Sequence, residues 1–97
     1  MAIYIMLFNY TQQGVQNVKE SPARIEAAKK LLRDMGAEVK ASYLMMGRYD
    51  TIFVVEAPND ETAAKGALAI SSKGNVRSET LRAFTEDEYK KMIGALP

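Results

Sequence analysis

Over Ala2 to Tyr10 the side chains alternate with the period of a strand. Ile3, Ile5 and Leu7 fall on one face; Tyr4, Met6, Phe8 and Tyr10 fall on the other. Both faces are apolar, so both call for cover. Helices of the same chain can take one. The other needs a second subunit or a ligand. Thr11 to Glu20 exceeds the usual strand-to-helix connection, and Gly14, Val15 and Val18 suggest a turn of helix within it. Ser21-Pro22 then predicts a helix start, with serine as the cap and proline at the first helical position. The helix runs to about Met35, with an apolar stripe of Ile25, Ala28, Leu31, Leu32 and Met35. Arg24, Lys29, Lys30 and Arg33 face water, Glu26 lies within reach of Lys30, and Gly36 is the stop.

Glu38 to Met46 reads as a second strand, with Val39, Ala41, Tyr43 and Met45 on one face and Lys40, Ser42, Leu44 and Met46 on the other. Thr51 to Glu56 is nearly all apolar, as a central strand requires. Ala57-Pro58-Asn59-Asp60 breaks it and caps a helix from Glu61 to about Lys73, which buries Ala63, Ala64, Ala67, Leu68 and Ile70. Gly66 inside that helix costs about 1 kcal/mol relative to alanine. Val76 to Ala83 is a polar fourth strand, and Thr85-Glu86-Asp87-Glu88 is a capping box opening a short last helix with Tyr89, Met92 and Ile93. The order is strand, helix, strand, strand, helix, strand. Two right-handed crossovers joined by a hairpin give an α+β, ferredoxin-like βαββαβ plan: a four-stranded antiparallel sheet with two helices on one face and a short C-terminal helix.

Residues 1–97 make one domain by length, with no linker or repeat. A chain this short buries only about 60–65% of its unfolded surface, so some apolar surface is expected at an oligomer interface. Thirteen basic residues against 12 acidic ones leave no field that would favour nucleic acid. The apolar N-terminus lacks a basic lead and a cleavage site, and no segment has the length of a membrane span. The expected home is the cytoplasm, without nucleic-acid or membrane partners. Cysteine and histidine are both absent. That removes thiol nucleophiles, histidine triads, zinc sites with nitrogen or sulfur ligands and histidine-ligated haem. No metal site and no cofactor is expected.

Gly47-Arg48-Tyr49-Asp50 sits between the second and third strands. Gly47 permits positive φ at the hairpin tip, and the next three residues put a cation, a phenol and a carboxylate on one corner. With Val55-Glu56-Ala57-Pro58, the run Gly74 to Phe84, the start from Tyr4 to Thr11 and Gly14, and Lys19-Glu20-Ser21-Pro22, this corner resembles the GYD domain family over nearly the whole chain. The two longer motifs make the resemblance specific. It implies a ferredoxin-like domain of the dimeric α/β-barrel type and no particular activity. A looser similarity links the plan to the ligand-binding domains of Lrp/AsnC-type regulators and to dimeric α/β-barrel monooxygenases, at the level of fold alone.

The candidate site residues are Arg48, Tyr49, Asp50, Arg77, Glu79, Asn9 and Tyr10. Arg48 would supply a bidentate fork for an anion, while Tyr49 would stack or donate. Turn chemistry gives a plainer account: Asp50 accepts backbone N–H groups, Tyr49 packs, and Arg48 pairs with a carboxylate. Arg77 and Glu79 share one strand face, with Ser78, Thr80 and Arg82 on the other; they line a pocket or guard a sheet edge. Asn9 and Tyr10 end the first strand, where they meet the fourth if the two pair. Tyr43, Met45 and Met46 suit an interface or core. The segment Thr11 to Glu20 would serve as a lid over the sheet or as a plain connector.

Three functions fit these features. A homo-oligomer, most simply a dimer, binds a small hydrophobic or anionic ligand between sheet and partner. Alternatively, the chain is a cofactor-independent oxygenase or isomerase that uses Glu79 or Asp50 as base. The third is a structural or regulatory oligomerisation module.

Overall fold

Alternation makes Ala2–Tyr10 the strand β1, and its two apolar faces make it central. The computed structural model describes residues 1–97. The remaining elements are α1 (Gln12–Gln16), a 3-10 turn (Val18–Glu20), α2 (Ser21–Asp34), β2 (Glu38–Leu44), β3 (Thr51–Ala57), α3 (Asp60–Ser71), β4 (Val76–Ala83) and α4 (Glu86–Gly94). The strands form one antiparallel sheet in the order β2-β3-β1-β4. This is the ferredoxin-like architecture that the element order predicts.

One sheet face carries the core. Tyr4, Met6 and Phe8 of β1 and Phe53, Val55 and Ala57 of β3 pack against Ala28 and Leu32 of α2 and Ala63, Ala67 and Ile70 of α3. The Phe8 and Phe53 rings meet edge-on at 5.2 Å. The Tyr4 hydroxyl donates to the Asp60 carboxylate and so ties β1 to the start of α3. Gly66 is a packing requirement: a Cβ there would stand 2.5 Å from Leu32 Cδ2, in a fully buried side chain. Ala64 and Leu68 turn outward, Leu68 with 70% of its surface exposed, so the buried stripe of α3 is narrower than the small residues suggested.

Other departures from the expected pattern have local causes. Glu20 takes the cap position of α2, without a side-chain bond, because the 3-10 turn already delivers the chain in helical geometry; Ser21 is then the first helical residue. Glu26 pairs with Lys29, and Lys30 with Asp34. Arg24 is half-buried and spans two backbone carbonyls, so it does not simply face water. In β2 an extra residue, Lys40, bulges between Val39, opposite Val55, and Ala41, opposite Val54. The bulge puts Val39 against the core side while Ala41 and Tyr43 share the other face, so the simple alternation of β2 breaks there. β2 ends at Leu44, two residues early, and the Met45 N–H donates to the Asp50 carbonyl at 2.8 Å to close the hairpin corner.

Segment Thr11 to Glu20 is a pinned connector. Thr11 donates from N–H and hydroxyl to the Asn75 and Gly74 carbonyls, and Gln13 reaches Asn75. Gly14 seats so closely that a Cβ would fall 1.9 Å from the Asn75 carbonyl oxygen. The segment is therefore fastened to the α3–β4 turn, which leaves no free lid. No helix is long and apolar enough to cross a membrane.

Candidate functional site

The second sheet face carries Ile3, Ile5 and Leu7 of β1, Ile52 and Val54 of β3, Tyr43 of β2 and Leu81 of β4. These side chains are half-buried or exposed, with Tyr43 and Leu81 well exposed. The cluster of interest stands at one end of this face.

Asp50 builds that end. Its N–H donates to the Phe8 carbonyl at 2.9 Å, and its carboxylate accepts the Tyr10 N–H at 2.8 Å. The hairpin corner is thereby stapled to the last turn of the β1 ladder. Gly47, at φ 106°, makes the bend that an L side chain resists. Tyr49 is then carried across β1 to β4, where its hydroxyl donates to Glu79 Oε1 at 2.7 Å. Glu79 stands opposite Leu7, and Arg77 opposite Asn9. Leu7, Asn9, Arg48, Tyr49, Arg77 and Glu79 thus line one shallow cleft of about 230 Å³.

The charges are unevenly matched. Neither Arg48 nor Arg77 forms an ion pair. The single carboxylate present, Glu79, already accepts from Tyr49. That hydrogen bond, followed by partial desolvation and the carboxylate's charge, holds the Tyr49 phenol above its ordinary value of 10, while nearby Arg48 pulls the other way. Tyr49 is accordingly a neutral donor at physiological pH. Two free guanidinium forks beside an apolar floor make a receptor for an anionic group.

The seven candidate residues divide. Arg48, Tyr49, Arg77, Glu79 and Asn9 come together; Asp50 acts as the staple beneath them. Tyr10 turns to the opposite side of the sheet, where it lines a separate cavity between the helices and the sheet. Ser78, Thr80 and Arg82 stand opposite Phe8, Met6 and Tyr4. Leu7 forms the apolar floor, although its alternation in sequence marks it only as a sheet-face residue. No three His, Cys, Asp or Glu side chains converge as metal ligands would.

The GYD domain model matches residues 4–93. The chain belongs to the GYD domain family. It is 38% identical over 85 residues to a Thermus thermophilus protein named glutamine synthetase and cystathionine beta-lyase binding protein, covering 87% of this chain and 90% of that relative. Among solved structures, the leucine response regulatory protein of Mycobacterium tuberculosis superposes with a TM-score of 0.66 at 15% identity. It covers 87% of this chain, which spans about half (51%) of the regulator. A hypothetical protein of Pyrococcus horikoshii gives 0.55 at 22% identity, with 89% and 93% coverage. These two likenesses concern the fold alone.

Proposed function

We propose that this GYD protein is a cytoplasmic binding module that associates with itself through the open sheet face and docks on metabolic enzymes through the Arg48–Tyr49–Arg77–Glu79–Asn9 cluster. The observation that carries this is the pair of arginines without ion pairs at the end of an uncovered apolar face. Large apolar patches with a polar rim mark interaction surfaces, and arginine is among the residues enriched at them. The name of the Thermus thermophilus relative supports a protein partner and points to glutamine synthetase and cystathionine beta-lyase as the first two to try. A docking enzyme would present a carboxylate to the two guanidinium groups. The carboxylates that a base-catalysed reaction would draw on, Asp50 and Glu79, both serve as hydrogen-bond acceptors, which favours binding over chemistry.

The experiment is surface plasmon resonance of the intact chain against both enzymes from its own source. Arg48→Ala and Arg77→Ala should each weaken the complex about tenfold, the range expected for a charge-assisted contact, with unchanged circular dichroism. Equal affinity in both variants sinks the assignment. A second reading, a small anionic ligand enclosed between two copies at the same cleft, is favoured by the cleft's mixed polar and apolar lining. Native mass spectrometry distinguishes it, since a dimer would carry a reproducible small adduct without any enzyme present.

A further inference from the structure

On the opposite side of the sheet, between α2, α3 and the strands, lies a cavity of about 190 Å³. Phe8 and Phe53 belong to its lining from the sheet side, and Ile25 and Ile70 from the helices. Two cations also line it, half-buried Arg24 and exposed Lys73, with no carboxylate among the lining residues. Neither cation has an ionic partner. Arg24 is held in place, because its terminal nitrogens donate to the Asn17 carbonyl at 2.8 Å and the Gly14 carbonyl at 3.1 Å. Those two bonds leave further guanidinium N–H donors.

Thr51 is the second observation. It lines the same cavity with 7% of its surface exposed, the one buried polar residue in that wall. A hydroxyl in a cavity wall can donate to an anionic group placed beside it. A cavity of about 150 Å³ lined by aliphatic and aromatic side chains is known to accept benzene, so this one has room for a ring or branched chain plus a small head group.

We propose that this cavity binds a small monocarboxylate with an apolar body, about the size of phenylacetate and bearing no ammonium group. The carboxylate meets Arg24 and Lys73, Thr51 gains a polar partner, and the apolar body lies against Phe8, Phe53, Ile25 and Ile70. An amino acid of the same shape is disfavoured, because its ammonium would enter beside two cations with no carboxylate to receive it. The site lies across the sheet from the arginine cluster and is independent of it.

The test is isothermal titration calorimetry of the intact chain with phenylacetate and 4-methylpentanoate, using 2-phenylethylamine as the cationic control. At least one acid should bind at least tenfold more tightly than the amine and shift the backbone amide resonances of Phe8 and Thr51. Lys73→Glu, at an exposed position, should weaken the acid at least tenfold. Ala27→Phe, also exposed and lining the opening, should block it. Thr51→Val should weaken it several-fold, while the Arg48→Ala and Arg77→Ala variants should bind it unchanged. Failure of both acids to bind, equal binding of the amine, or an unchanged affinity in Lys73→Glu overturns the proposal.

Discussion

Asp50 does at the hairpin corner what turn chemistry expects of it, accepting a backbone N–H. Its carboxylate accepts the Tyr10 N–H, and that bond holds the corner from which Arg48 and Tyr49 project. Asp50→Ala should therefore cost about 1.5–3 kcal/mol, the range for a hydrogen bond to a charged group, seen as a lower denaturation midpoint with an unchanged slope. Thr80 is the opposite case. Its hydroxyl is buried without a partner, so Thr80→Val, equal in shape, should stabilise by about 1 kcal/mol. Tyr49 adds a pH signature. Because its phenol is held above 10 in the folded protein, its contribution is complete below pH 10 and is lost as pH rises through the elevated value. Tyr4 is raised as well, by burial and by its bond to Asp60, so ultraviolet titration should show two late-ionising tyrosines, of which one disappears in Tyr49→Phe and ionises earlier in Glu79→Gln.

At the scale of elements, α4 is the segment whose local signals were most complete in sequence and whose tertiary role was least so. Thr85 and Glu88 cap it reciprocally, the Thr85 N–H donating to Glu88 Oε1 at 2.8 Å and the Glu88 N–H to Thr85 Oγ1 at 3.1 Å. The backbone bond from Thr85 lowers the Glu88 carboxyl below its ordinary 4.5. The capping contribution is thus present above pH 4.5 and is lost as pH falls through the depressed value, so the protection factors of amides in 86–94 should fall in acid before those of the sheet. Strand alternation and caps were readable because they are local. The α2 cap departs from its sequence signal because the preceding 3-10 turn changes which residue enters the helix, and the β2 faces do so because a bulge at Lys40 leaves no mark in composition. The cluster was legible in part. Arg77 and Glu79 share a face by period alone, but their meeting with Tyr49 depends on Asp50 closing the corner. Arg24, Lys73 and Thr51 come from three separate elements, and only the packed fold brings them to one cavity.

At the scale of the molecule, the open sheet face and α4 pose the same problem. The radius of gyration is 14.6 Å, against about 12.5 Å for a compact chain of this length, and α4 buries none of its residues. Tyr89, Met92, Ile93 and Leu96 are all about half or more exposed, as are Tyr43 and Met46. An apolar helix face and an apolar sheet face left uncovered in one protomer are mutually explicable if a second copy covers them. Ile5 stands at the middle of the open face, opposite Val54 on one side and Leu81 on the other. Light scattering after gel filtration should give twice the chain mass for the intact protein. Ile5→Lys should halve that mass with the far-ultraviolet spectrum kept, because the new ammonium can reach water in the monomer but would be buried in the pair. Removal of 86–97 should also weaken the dimer while changing the monomer's stability little, since α4 buries nothing there. A native protein that remains monomeric at high concentration would leave both apolar faces without an occupant and would refute self-association as the way this fold covers its sheet.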